Sequence, residues 1–331
     1  MRAVKLTNPN KSIIDEIDIP GLNDDEVLIK VKKCGVCGSD IHIFKGEYTD
    51  KFPVIPGHEF SGIVEQIGRN VNKFKIGDEV VVEPNIACDN CENCLQNRQN
   101  FCNNWNAIGV TLPGGMAEYT KVPQKNVFAA DGLTFEEGAF VEPLSCVIHG
   151  IKKIGINIAD KAAIVGAGPI GILIQQVIKN YGASHITIID KNKKRLELAE
   201  EIGADYIYED LNKLRENYYD VVIDATGVTA VMERLIYAVR SGGRILYFGV
   251  AGQGTRLSLD AFKIFQKGIT FMTSYTSVRN TYQAIEMLKT KKIQINNLIS
   301  HVLPLYDYEK AIKLLVACDD AVKKILLDPA L

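Results

Sequence analysis

A chain of 331 residues, 47% hydrophobic and 24% charged, has the composition of a soluble globular protein and the length of two domains. Its net charge of −2 comes with lysines and arginines spread along the chain, so nothing basic speaks for a nucleic-acid partner. No run approaches the roughly 18 apolar residues of a membrane span, and Met1-Arg2-Ala3-Val4-Lys5 does not open a signal peptide, so a cytoplasmic location is expected, where eight cysteines read as metal ligands or free thiols.

Residues 1 to about 30 read as strand, with Asp25-Glu-Val-Leu-Ile-Lys-Val-Lys32 carrying a β-branched core between charged flanks. Cys34-Gly-Val-Cys37-Gly has C-x-x-C spacing, which half a zinc knuckle or a redox pair would share. Cys37 is read as a ligand and Cys34 as a small buried apolar residue. Ser39 follows two residues after Cys37; its hydroxyl either lies near a metal or is an exposed loop serine. Asp40 is either an ordinary turn aspartate or the acceptor for the outer ring nitrogen of a metal-bound histidine. His42 is a proton acceptor near the site or a surface histidine.

Pro56-Gly-His58-Glu59-Phe-Ser-Gly62 comes next. With Cys37, His58 and Glu59 make three donors of mixed softness from two short loops. A catalytic zinc takes three protein groups and keeps a fourth position open. As a Lewis acid it brings the pKa of a bound hydroxyl down to roughly 7. Taken alone, the same residues also read as packed side chains. Ile63–Gly68 and Asp78–Val82 are strands, and helical patterns are few before residue 134, so this half is a β-rich body with irregular loops.

Cys88-x2-Cys91-x2-Cys94-x7-Cys102 is the strongest local pattern. Four thiolates close a tetrahedral zinc shell and leave no open position, which makes the role structural. An iron–sulfur cluster would use the same donors. The residues between are polar and cannot form a core, so a metal has to order this lobe, residues 85–105. After further β character over 107–130, Phe135–Leu144 starts a helical region. There Glu142, ahead of Pro143, is another carboxylate for the first metal or its water, or an ordinary helix-start glutamate.

The character changes near residue 150. Lys161-Ala-Ala-Ile-Val leads into Gly166-Ala-Gly168-Pro169-Ile170-Gly171, then a helical pattern over Ile172–Tyr181, then a second apolar strand ending at Asp190. Glycines at these places permit a tight turn, close approach to a pyrophosphate and helix–strand packing, with the helix N-terminus facing the phosphates. Strand, turn, helix and a late acid together point to a dinucleotide. Asp190 suits a free ribose 2′-hydroxyl, so NAD is expected over NADP; the nearby Arg195 pulls the other way. Helical Arg195–Ile202 and Val231–Val239 alternate with strands Tyr219–Asp224, Arg244–Gly249 and Ile269–Ser274, which predicts a doubly wound parallel sheet. Helical Thr281–Leu288 follows, and Leu298–Leu305, Tyr308–Val316 and Lys323–Leu327 then resume mixed structure able to pair back with the first half.

With these motifs, the chain resembles the zinc-containing medium-chain alcohol and polyol dehydrogenases over essentially its whole length. Gly57-His58-Glu59-x2-Gly62-x5-Gly68, the four-cysteine lobe and the glycine turn fall in the family's order. The resemblance implies an α/β protein: a GroES-like catalytic domain, residues 1–145 and 286–331, interrupted by a Rossmann NAD-binding domain, residues 146–285, with the active site in the cleft between them. It implies two zincs per chain. Cys37, His58 and Glu59 would hold the catalytic one, with Glu142 as fourth ligand or water-holder; Cys88, Cys91, Cys94 and Cys102 would hold the structural one. Glu59 is also counted among the catalytic residues, and Ser39 and His42 fall where the family's proton relay lies. NAD would sit on Gly166, Gly168, Pro169, Ile170, Gly171, Asp190 and Arg195. Glu59 and Val-Glu142-Pro-Leu-Ser look like the sorbitol, galactitol-phosphate and threonine dehydrogenase branches. Two departures put sorbitol itself in question: Thr276 stands where sorbitol dehydrogenases have an arginine toward the polyol, and the Cys37–His58 spacing is shorter. The expected substrate is a small polyol-like molecule, in a homodimer or homotetramer joined through the Rossmann sheet edge. A threonine-type amino-alcohol dehydrogenase and a non-catalytic dinucleotide-binding protein are the alternatives.

Overall fold

Two units share the chain in a computed structural model that describes residues 1–48, 52–130, 132–317 and 322–331. One unit is discontinuous, Met1–Ser145 with Val278–Leu331, and the other is the continuous stretch Cys146–Ser277. The return to the first unit thus comes at Val278, ahead of the residue 286 expected from sequence. The Thr281–Lys289 helix belongs to the first unit, where the Thr281 hydroxyl donates to Glu83 Oε2 at 2.6 Å.

The first unit is built on strand Glu26–Val36, whose Val27, Leu28, Ile29, Val31, Cys34 and Val36 are all buried. Eleven residues rich in valine and isoleucine suit a pleated surface covered on both faces. Strands Glu59–Ile67, Tyr119–Pro123 and Lys324–Asp328 pair with it antiparallel. Ile299–Pro304 lies parallel beyond Lys324–Asp328, while Glu79–Val82 and Val127–Ala129 extend the other side. The expected pairing of the chain's last stretch with its first half is therefore present. Val4, Ile43, Phe60, Met116, Tyr308 and Ile325 sit in its core.

Ahead of residue 134, where few helical patterns were expected, the described residues hold two short α-helices. Gly38–Phe44 and Glu92–Leu95 each begin directly after a cysteine, Cys37 and Cys91. Neither is long enough to show a 3.6-residue apolar period in the sequence.

The second unit is a six-stranded sheet, all parallel. Its strands in chain order are Lys161–Val165, His185–Ile189, Tyr206–Tyr208, Tyr219–Asp224, Val239–Tyr247 and Thr270–Thr273. Across the sheet they run third, second, first, fourth, fifth, sixth. The order reverses between the first and fourth strands, which is where such sheets open a crevice for a ligand. Tyr219–Asp224 is buried at every position, as a strand covered on both faces has to be. Helices Pro169–Asn180, Lys193–Glu201 and Thr229–Ala238 follow the expected alternation; Ala261–Lys267 is a helix the sequence reading did not anticipate. Its Phe262 and Phe265 face outward, so its apolar residues do not mark a core-facing stripe. No helix among the described residues is long and apolar enough to cross a membrane.

Candidate active site

Strand pairing assembles the first cluster. Register between Glu26–Val36 and Glu59–Ile67 sets Gly35 opposite Glu59, so Cys37, just past the end of one strand, meets His58 and Glu59 at the start of the other. Their donor atoms lie within 4.8 Å of one another, with His58 and Glu59 buried and Cys37 partly so. Gly57 has φ +99°, and a Cβ there would sit 2.7 Å from Cys34 Sγ. Glycine is thus required both for backbone conformation and for space. Cys34 itself is fully buried with its thiol pKa pushed up, by burial first and then by Asp40 and Glu59, as befits a packing residue.

Asp40 braces this cluster from the Gly38–Phe44 helix. Its Oδ2 accepts from the Cys37 backbone N–H at 2.8 Å, and its Oδ1 lies 3.8 Å from His58 Nδ1. Burial works against a charge on His58, yet Asp40, Cys37 and Glu142 together hold its pKa well above the ordinary value. Asp40 Oδ1 and His58 Nδ1 are both buried without a hydrogen bond. What fits a zinc ion is the donor set itself, a thiol, an imidazole and a carboxylate whose ligand atoms converge within 4.8 Å, with Asp40 facing the outer ring nitrogen. Ser39 Oγ stands 3.5 Å from Cys37 Sγ, at the cluster's edge. His42 lies one helical turn on, its Nδ1 hydrogen-bonded to Glu47 Oε2 and its ring stacked on Tyr48 at 4.9 Å. Glu142, in the first turn of helix Val141–Ile154, stands outside the tight trio but contributes to the field at His58.

One residue of this cluster was not read from the sequence. Lys324, at the start of the last strand, forms an ion pair with Glu59 Oε2. It is 6% exposed, the one lysine or arginine buried among the described residues. In Lys323-Lys324-Ile-Leu-Leu only the strand is legible, because a lysine at a strand's end is ordinarily solvated.

The four-cysteine lobe closes on itself. Sulfur–sulfur separations are 3.4 Å for Cys88–Cys102, 3.5 Å for Cys91–Cys94 and 3.9 Å for both Cys88–Cys94 and Cys91–Cys102. These are far beyond a disulfide and close to the edge of about 3.8 Å that a tetrahedron with ~2.3 Å zinc–sulfur bonds requires. Backbone N–H groups lower the Cys88 pKa to about 6, and Asn104 N donates to Cys102 Sγ at 3.3 Å. Lys125 Nζ pins the lobe through Ala87 O at 2.6 Å and Asp89 Oδ2 at 2.7 Å.

In the second unit the glycine turn joins the first parallel strand to helix Pro169–Asn180, at the sheet's switch point. Gly166 has φ +105°, Gly168 is the N-cap, and a Cβ on Gly171 would run into the Gly166 carbonyl oxygen. Pro169 opens the helix without an N–H of its own, and the N–H groups of Ile170 and Gly171 that follow suit a phosphate. Asp190 Oδ2 accepts from Ala167 N at 2.7 Å and its Oδ1 from Asn192 N at 2.8 Å. The acid therefore braces the turn as well as standing at the strand end, with lone pairs left for a ribose. Arg195 lies in the first turn of helix Lys193–Glu201, its backbone N–H capped by Asn192. These residues fit a dinucleotide. Thr276 has φ +50° with its hydroxyl buried and unbonded, an uncommon state for a β-branched residue.

Residues 23–132 match the alcohol dehydrogenase GroES-like domain, and residues 169–290 match the zinc-binding dehydrogenase domain. The chain is 36% identical over 324 residues to D-arabinitol dehydrogenase 1 of Uromyces fabae, covering 94% of this chain and 93% of that protein. It is likewise 36% identical to D-arabitol-phosphate dehydrogenase of Enterococcus avium, covering 89% and 88%. A zinc-binding dehydrogenase of Sinorhizobium meliloti solved with NADP superposes with a TM-score of 0.94 at 31% identity, covering 99% of each chain.

Proposed function

Because this chain belongs to the zinc-containing medium-chain alcohol and polyol dehydrogenases, we propose that it oxidises a secondary alcohol of a polyol or polyol phosphate to a ketone, with NAD as hydride acceptor. The observation that carries the reading is the Cys37–His58–Glu59 trio, its histidine and glutamate buried and its cysteine partly so, with Asp40 behind it. Those three residues would hold the catalytic zinc, with Glu142 near enough to act as a fourth ligand or to hold its water. When bound, zinc supplies a Lewis acid that makes an alcohol acidic at neutral pH.

The protein's own groups do the rest. Asp40 orients the His58 ring through Nδ1. Ser39 Oγ would take the alcohol's proton, and His42 would receive it on its way to solvent. An Nδ1–H donated to Glu47 leaves the other His42 nitrogen as the acceptor. NAD, when bound, would supply the hydride acceptor, so that oxidation yields a ketone, NADH and a solvent proton. Gly166, Gly168, Pro169, Ile170 and Gly171 would seat the pyrophosphate, and Asp190 would bond the ribose hydroxyls, which favours NAD; Arg195 would flank that subsite. Cys88, Cys91, Cys94 and Cys102 hold a second, structural zinc. Reduced thiols in such number suit the cytoplasm. A homodimer or homotetramer forms along strand Thr270–Thr273, one of the sheet's two edge strands, beside the exposed Phe262 and Phe265.

The test is NADH formation over arabinitol, xylitol, sorbitol, galactitol, their phosphates, butanediol and threonine, with zinc counted on the same sample. Turnover of a polyol or polyol phosphate with two zincs per chain is expected. Turnover of threonine alone would replace the polyol reading.

A further inference from the structure

Lys324 has no part in the chemistry above, yet the fold goes to some length to put it there. It opens strand Lys324–Asp328, whose next residue Ile325 pairs with Val36 and whose Leu326 pairs with Gly35. Gly35 also pairs with Glu59 on its other side. The lysine stem therefore has to cross strand Glu26–Val36 at Gly35 to reach the carboxylate. A Cβ at Gly35 would sit 2.9 Å from Lys324 Cε and would collide with Glu59 Oε2. Glycine keeps that passage open.

Lys324 Nζ is ion-paired with Glu59 Oε2, and a lysine against a carboxylate keeps the positive charge it ordinarily carries at neutral pH. Its side chain is 8% exposed and that of Glu59 1% exposed, so solvent screens the pair poorly. Two consequences follow for the trio. The cation neutralises anions that would otherwise repel one another when no metal separates them. It also stands against the carboxylate that a metal would use, and so repels that metal.

We propose that Lys324 is a positioning residue of the catalytic metal centre, a fixed cation that holds Glu59 by one oxygen, keeps the trio assembled without metal and loosens its hold on zinc. This rests on the reading of Cys37, His58 and Glu59 as zinc ligands. The retained positive charge leaves the metal more electron-withdrawing than the trio alone would. A tighter site would be a poorer Lewis acid.

The test uses the full chain with the four-cysteine lobe loaded, and Lys324→Met, Lys324→Gln and Lys324→Arg variants. Zinc affinity is read by chelator competition, thermal shift is read with and without zinc, and the cobalt-substituted protein is followed by its visible spectrum. Lys324→Met is expected to bind zinc about tenfold tighter, since a nearby like charge has been removed. Its metal-free form should melt lower and gain more from zinc than the wild type, its cobalt bands should move, and the kcat pH profile should shift to higher pH. Lys324→Arg should stay within about threefold of wild type because the charge remains. Lys324→Gln gives the same reading if the methionine variant does not fold. Unchanged or weaker zinc binding in a folded Met or Gln variant overturns the proposal. Wild-type zinc content that is unaffected by Cys37→Ser would instead bring down the ligand assignment on which it rests.

Discussion

At the scale of single residues, position relative to the trio separates roles that look alike in sequence. Ser39 lies at 3.5 Å from Cys37 Sγ but donates nothing that a metal would need. Ser39→Ala should therefore lower kcat by about 10²–10³, in the range of a lost proton-transfer group, while zinc per chain stays the same. Near-normal turnover would remove it from the relay. Asp190 braces Ala167 N and Asn192 N and, in the function proposed, would also meet the ribose, so Asp190→Ala should reduce the NAD-over-NADP ratio of kcat/KM by about tenfold, the worth of a charge-assisted hydrogen bond. An unchanged ratio would leave Asp190 as a brace alone. Cys37, His58, Glu59 and Asp190 were legible because each sits in a spaced motif whose chemistry has few other uses. Lys324 was not, because nothing local distinguishes a buried lysine; its burial depends on Glu59, far away in the chain.

At the scale of elements, the strand–turn–helix around Gly166–Gly171 and the Val141–Ile154 helix make separate predictions. Gly171→Ala pushes a methyl into the Gly166 carbonyl, so strand and helix must part. We expect a loss of about 1–3 kcal/mol of stability, read by denaturant titration, together with weakened NAD binding in fluorescence titration. His149, on the Val141–Ile154 helix, has its pKa lowered by burial first and then by Lys153 and Lys152. The unfolded chain takes up a proton near pH 6.5 where the folded one does not, so stability falls as pH drops through that value and levels off below the folded pKa. His149→Gln should flatten that decline, and a Tm-versus-pH curve that keeps the wild-type slope would show the loss arises elsewhere. Strand and helix identities were readable where apolar runs were long, as in Tyr219–Asp224. The helices Gly38–Phe44, Glu92–Leu95 and Ala261–Lys267 were not, being too short or too outward-facing for a period to register.

At the scale of the whole molecule, the lobe and the discontinuous unit matter most. The polar lobe between Cys88 and Cys102 has only its thiolate cluster and a few tethers such as Lys125 to order it. Cys91→Ser should reduce zinc by about one per chain and open residues 85–105 to limited proteolysis, while the Cys146–Ser277 unit stays protected. Cleavage spreading through that unit would contradict a locally confined role. The parallel sheet was legible from its α/β alternation, whereas the exact re-entry of the chain into the first unit was not, since Thr281–Lys289 is placed by contacts such as Thr281–Glu83 rather than by its own sequence. That re-entry also has a consequence in time. Strand Lys324–Asp328 seals the sheet beside Glu26–Val36, but a ribosome delivers it only after all of Cys146–Ser277 has emerged. At about 5–20 residues per second the nascent β-rich body waits on the order of ten seconds, half-built, with its anions lacking their lysine. The inserted unit, continuous in sequence, can finish first, so newly made chains should pass through a stage in which the Cys146–Ser277 unit is folded before Lys324 reaches the metal trio.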